Sequence, residues 1–344
     1  MRPTASAIRL MAVIAPALAA TIAGAQPRQA GAPHSESKTW TTPFDPKARP
    51  RDPFADPKTG NVWFVGQEGN YVAYLEPQTG EFKRYTIEPG TNPHNLVVHN
   101  GMVWFTGNRN GRIVRLDPAT GKLTNYLMPD STVKDPHTMT FDKAGNAWFT
   151  AQSAGVVGKL TVADGKIRLW RLAPRSRPYG IWLDSRDRPY FDEFGTNKIG
   201  TIDPQTLELK EYTLPEGALP RRIVVTPDDH VWYGDYRRGF LGHLNPATGA
   251  VEEFLMPAGA GSLPYAMTLD DRGYVWVAET GGQPSKLHAF DPKAKKWTES
   301  LPIDADGPNT IRHMTFDKGT RQIWFGGDAN MIGRIKVAPA AVVP

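Results

Sequence analysis

A Trp- or Tyr-centred apolar triplet returns seven times along this chain, and its spacing limits the fold more than any other feature. The triplets are Val62-Trp63-Phe64, Val103-Trp104-Phe105, Ala147-Trp148-Phe149, Pro189-Tyr190-Phe191, Val231-Trp232-Tyr233, Val275-Trp276-Val277 and Ile323-Trp324-Phe325. The fullest copy, residues 135–150 (DPHTMTFDKAGNAWFT), sets a proline and a polar residue before an alternating strand, then a turn, then the triplet. Counting back to the polar residue that opens each preceding strand gives Arg51, His94, His137, Tyr179, Arg221, Tyr265 and Arg312, spaced 42 to 47 residues apart. A period of about 40–45 residues built from short strands is the signature of a β-propeller, one four-stranded blade per repeat.

The other two strands of each blade can be read as well. A third strand such as Lys198-Ile199-Gly200-Thr201-Ile202 ends in a turn of the Asp-Pro-x-Thr-Gly type, and a fourth carries a central aromatic: Tyr85, Tyr126, Trp170, Tyr212, Phe254 or Trp297. The seventh repeat lacks its fourth strand, because only Ala, Pro and Val follow residue 337. Near the other end, Lys38-Thr39-Trp40-Thr41-Thr42 matches Lys296-Trp297-Thr298-Glu299. The expected fold is therefore all-β, a seven-bladed propeller over residues 38–344. Residues 38–43 complete blade seven, so the ring closes without open sheet edges. Trp104, Trp148, Trp232, Trp276 and Trp324 are expected to form the core between blades.

Composition mainly excludes. Cysteine is absent, which removes disulfides, thiolate zinc sites and cysteine nucleophiles. The formal charge is +5, two units of which come from Arg2 and Arg9, and no basic block of nucleic-acid-binding type occurs. Those two arginines, the apolar residues 10–22 and the Ala23-Gly24-Ala25 site read as a signal peptide over residues 1–25. Residues 26–37 read as a flexible stretch. The mature protein is expected to be periplasmic or secreted, with no membrane span, since no run approaches ~20 apolar residues.

The seven strand-opening residues occupy equivalent positions and are expected to face one another around one mouth of the central channel. Three Arg, two His and two Tyr form a ring rich in hydrogen-bond donors, suited to carboxylate, phosphate or carbonyl groups. Arg51, Tyr179, Arg221, Tyr265 and Arg312 are the candidate ligand contacts, and His94 and His137 the candidate bases. Glu193, Asp235 and Glu279 lie three residues after the blade aromatic, with Asp328 one position later. Pointing to the same mouth, they would bind Mg²⁺ or Ca²⁺ through oxygen; the plainer alternative is ion pairing with Arg221 and Arg312. His99, His230, His243 and His288 fall outside the ring and read as structural or surface residues. No G-x-S-x-G, H-E-x-x-H or phosphate-binding loop is present.

The phrases Pro178-Tyr179-Gly180-Ile181, Asn197-Lys198-Ile199-Gly200 and Met331-Ile332-Gly333-Arg334-Ile335 resemble the streptogramin B (virginiamycin B) lyase family, and the likeness runs from about residue 38 to 337. The resemblance implies a seven-bladed propeller whose enzymes open a cyclic depsipeptide by carbon–oxygen elimination, using Mg²⁺ and a histidine base. It places Tyr265 and Arg312 where the family has its two histidines, Thr310 in place of one glutamate and Asp328 in place of another. His313 is adjacent to Arg312, but strand alternation should send it to the opposite face.

The leading expectation is an exported propeller of this family that binds an anionic or carbonyl-bearing small molecule, with metal-assisted lyase chemistry left open. The alternatives are a non-enzymatic binding or scaffold propeller covered by a protein partner, and a lactonase-type hydrolase using channel carboxylates.

Overall fold

A computed structural model describes residues 37–303 and 309–339. The leader read in residues 1–25 lies outside the described residues, as do residues 26–36 of the stretch expected to be flexible; Ser37 already belongs to a strand. Among the described residues, twenty-eight strands form seven four-stranded antiparallel sheets, joined by turns and one 3-10 turn at Gly259–Gly261. Among the described residues no helix is long and apolar enough to cross a membrane.

Each sheet is one repeat, ordered outward from the axis. In blade three the strands are Pro136–Phe141, Ala147–Ala151, Val156–Thr161 and Lys166–Arg171. Proline opens the first strand in blades one to six, where its missing N–H interrupts no ladder. The triplets form the second strands, and Trp104, Trp148, Trp232, Trp276 and Trp324 are all buried. Trp148 stacks on Trp170 of the fourth strand at 5.4 Å between ring centroids, and Trp104 on Tyr126 at 5.7 Å. Across the seams Trp104 meets Phe141 of blade three at 5.2 Å and Trp148 shares a core cluster with Ile181 and Phe191 of blade four, so the expected inter-blade core is observed.

The recurrent Gly of the third strand has a packing cause. Phe149, Phe191, Tyr233 and Phe325 pair with Gly158, Gly200, Gly242 and Gly333, and each ring lies over its glycine. A Cβ at any of the four would overlap the ring. Blade six keeps the volume constant by the reverse exchange: Val277 replaces the aromatic and His288 the glycine.

Closure follows the sequence expectation. The strand Ser37–Thr41 pairs antiparallel with Met331–Lys336, Lys38 facing Arg334 and Trp40 facing Ile332. Trp40 stacks on Trp324 at 5.6 Å. Just beyond the strand, the Thr42 hydroxyl donates to Asn330 Oδ1 at 2.6 Å, and Asn330 Nδ2 donates back to the Thr42 carbonyl at 3.1 Å.

The ring–glycine pairing predicts a compensation. Gly200→Val should lower unfolding free energy in urea by about 1–3 kcal/mol, the usual cost of overpacking. Adding Phe191→Leu should recover part of that loss, measured as a coupling energy in a double-mutant cycle.

Candidate functional site

One backbone irregularity builds the channel. In every blade the register between the first and second strands slips by one residue just after the opening position. Such a bulge sets two successive residues against one on the partner strand and turns both toward the same side. The expectation that His313 would face away from Arg312 is therefore corrected: the slip lies between Ile311 and His313, and both residues face the channel. Two tiers result. The outer tier is the ring read from the sequence; the inner one is Asp52, Asn95, Thr138, Gly180, Arg222, Ala266 and His313.

Hydrogen bonds between blades fix the tiers. The Thr of the Trp-Phe-Thr triplets acts as a peg: Thr106 donates to the His137 carbonyl at 3.0 Å and Thr150 to the Tyr179 carbonyl at 2.8 Å. Asn95 joins three blades, donating to Asp52 Oδ2 at 2.8 Å and accepting the Met139 N–H at 2.9 Å. Gly180 leaves room for Asp192, whose Oδ1 accepts the Gly180 N–H at 2.6 Å. Arg222 crosses the channel, with Nη1 donating to Thr138 at 3.0 Å and Nε to the Arg312 carbonyl at 3.3 Å.

The outer ring falls into a histidine arc and an arginine–tyrosine arc. The His94 and His137 rings lie against each other, centroids 3.5 Å apart and planes tilted by 37°, and Tyr179 follows at 4.1 Å from His137. Burial, aided by Arg51 and Arg222, holds both histidines well below their ordinary value, so both are neutral at pH 7. Burial likewise brings His313 down to about 4. In the other arc the Arg221 guanidinium lies 3.8 Å from the centre of the Tyr265 ring and 4.2 Å from that of Tyr236, with Phe194 at 4.6 Å. Arg221 Nη2 donates to the Tyr265 hydroxyl at 3.1 Å, Arg312 Nη1 at 3.4 Å, and the Tyr179 and Tyr265 hydroxyls hydrogen-bond each other. Arg312 grips Asp328 bidentately at 2.9 and 2.6 Å. Arg51 donates to Asp52 at 3.0 Å and to Gln67 at 2.9 Å.

The acids do not gather at the mouth. They alternate with the triplet aromatics, so Glu193, Asp235 and Glu279 turn into the seams between blades. Glu193 lies beside Glu211, and burial plus that neighbour pushes its carboxyl up to about 7. Asp235 accepts Arg238 Nε at 2.6 Å, and Glu279 meets His288 at 3.2 Å. Of the four, Asp328 alone pairs with a ring arginine. Among the described residues no three His, Cys, Asp or Glu side chains converge as a metal site. The set Glu193, Asp235, Glu279 and Asp328 therefore does not fit the Mg²⁺ or Ca²⁺ centre expected of it. His288 is structural as read, and His230 and His243 contact each other at 2.6 Å away from the ring.

Asp52, Asn95, Arg222 and Asp192 escaped the sequence reading, and His313 was assigned to the wrong face. The available signal was the doublet that opens several blades, Arg51-Asp52, His94-Asn95, Arg221-Arg222 and Arg312-His313, polar at two successive positions where a strand should alternate.

The model of the virginiamycin B lyase family matches residues 96–342. The chain belongs to the virginiamycin B lyase family. A streptogramin B lyase structure is similar over 88% of this chain and 98% of its own, with 26% identity and a TM-score of 0.79. Virginiamycin B lyase from Staphylococcus aureus gives 24% identity and a TM-score of 0.78, covering 88% of this chain and 100% of that one. A catalytically inactive histidine-to-alanine variant of the Staphylococcus aureus enzyme, solved with quinupristin, gives 25% identity and 0.77 over the same shares. No curated protein matches the chain.

The neutral channel histidines carry a pH signature. Unfolded histidines gain protons below about pH 6.5, whereas His94, His137 and His313 resist doing so in the folded state. Their contribution to stability is complete above the unfolded value and is lost as pH falls below it, by roughly 1.4 kcal/mol per histidine at pH 5.5. Urea unfolding at pH 7.5 and 5.5 should show this loss, and it should shrink in His94→Gln and His137→Gln.

Proposed function

We propose that this protein binds an anionic small molecule, a carboxylate above all, at the channel mouth, with Arg221 and Arg312 as its main contacts. The charge balance of the channel carries the reading. Arg51, Arg221, Arg222 and Arg312 converge on it, and Asp52 and Asp328 are the carboxylates paired with them. Burial pushes the Asp192 carboxyl well up, which weakens it as a further counter-charge. Arg51 Nη2, Arg222 Nη2 and Arg221 Nε are buried without a partner. An unpaired buried cation costs several kcal/mol and each orphaned N–H about 1–3 kcal/mol, and an incoming carboxylate relieves both. The quinupristin complex of a similar propeller supports a small-molecule site in this family. We further propose that the mature chain, freed of residues 1–25, works in the periplasm or outside the cell.

Elimination of the family type is not the reading favoured here. The positions that the resemblance assigns to histidine bases hold Tyr265 and Arg312, and Arg312 occupies Asp328. A streptogramin B depsipeptide incubated with the mature protein and Mg²⁺ should remain cyclic by chromatography and mass spectrometry. A linear product of unchanged mass would restore the lyase reading, with His94, His137 and His313 as the bases to test.

The anion site is tested by calorimetric titration with acetate, lactate and malonate. Arg221→Ala and Arg312→Ala should each weaken binding by about 1.5–3 kcal/mol, the range for charged hydrogen bonds. Unchanged affinity in both variants overturns the proposal.

A further inference from the structure

The Tyr179–Tyr265 contact holds one proton more than its surroundings can accept. Arg221 and Arg312 donate to the Tyr265 oxygen, and guanidinium groups accept nothing in return. The hydroxyl–hydroxyl bond consumes one of the two phenolic protons. Among the described residues the Tyr179 hydroxyl has no acceptor other than Tyr265, since its further contact, the Arg221 guanidinium, is itself a donor. Whichever phenol donates, the proton of the other is stranded in a buried site. Loss of one proton removes the stranded one: the Tyr179 hydroxyl and the Arg221 and Arg312 guanidinium groups then all donate to a single phenolate oxygen.

The charges facing Tyr265 favour the same state. They are Arg221 and Arg222 from blade five, Arg51 and Asp52 from blade one, and Arg312, His313 and Asp328 from blade seven, with the Tyr179 phenol from blade four. Four cations thus stand against two carboxylates and a neutral imidazole. Tyr265 itself is 1% exposed, so water screens little of this field.

We propose that Tyr265 is the proton acceptor of the channel: a phenolate that balances Arg221 and Arg312, and that is reprotonated when a carboxylate ligand takes over the two guanidinium groups. This rests on the anion-binding reading above and adds that, in the pH range where Tyr265 is ionised, binding takes up one proton. It also narrows the ligand class, because a neutral carbonyl compound supplies no charge to replace the phenolate, whereas a carboxylate does.

The test is the absorbance of ionised tyrosine near 295 nm, followed from pH 6 to 11 with acetate as the probe. Burial pushes the Tyr265 phenol up, and Arg221, Arg51, Arg312 and Arg222 more than reverse this, bringing it down to about 8. The native protein should therefore show one tyrosine ionising near that pH, ahead of the rest, and Tyr265→Phe should lose it. Saturating acetate should move the early step upward by a unit or more. Equivalently, acetate should bind about tenfold more weakly for each pH unit above 8 in the native protein and show no such dependence in Tyr265→Phe. If Tyr265→Phe does not fold, Arg312→Met serves instead, and its early step should move upward. An early step absent from the native protein, or retained in Tyr265→Phe, overturns the proposal. Acetate that binds without shifting the step overturns the exchange and leaves the anion site standing. Acetate that fails to bind beside a normal early step overturns the anion site and leaves the phenolate standing.

Discussion

Seven copies of one bulge decide what lies on the axis of this molecule. A regular first strand would offer the channel every second side chain and give the others to the blade seams. The slip after the opening residue turns two neighbours inward together, doubling the number of side chains each blade sends to the centre. Polar residues at both positions can then meet across the axis, as Arg222 does when it reaches Thr138 and the Arg312 backbone. The inter-blade pegs from Thr106, Thr150 and Asn95 depend on the same geometry, because they hold the backbone that the bulge displaces.

With that many polar groups out of water, electrostatics governs the site. The histidine arc meets the demand by staying neutral. The arginine arc cannot, since guanidinium does not release its proton at any ordinary pH. It turns instead to aromatic faces, to Asp52 and Asp328, and to phenolic oxygens. Phe194 and Tyr236, the residues directly after Glu193 and Asp235, close the aromatic wall around Arg221. The acids of those pairs face the seams while the aromatics face the mouth, so adjacent residues divide structural and site roles.

Most of the fold was readable from the residues. Period, blade count, strand order and closure all follow from the Trp triplets and from the match between residues 38–42 and the fourth strand of blade six. The outer ring was readable too, because its members share one position in the repeat. The inner tier was not, for a physical reason: alternation is the rule that sequence reading applies to strands, and a bulge suspends it. Asp192 was hidden because it enters the channel from a second strand, through the gap left by Gly180. The four acids are scattered for a related reason. Spacing from an aromatic fixes which face of a strand an acid shares, and here that face looks into a seam.

The closing strand has a consequence for how the molecule comes to exist. Thr42 and Asn330 are 288 residues apart in sequence, yet they share hydrogen bonds at the seam. Bringing such distant partners together carries a loop-closure entropy that nothing local repays until the intervening blades are in place. The strand Ser37–Thr41 is synthesised ahead of the other described strands and is thus the last of them able to find its partner. Until it does, blade seven presents an unpaired edge and the chain is an arc rather than a ring. Sealing the ring turns a row of neighbour-dependent repeats into a structure with no terminal repeat, so loss of any one blade must begin by breaking contacts on both of its sides.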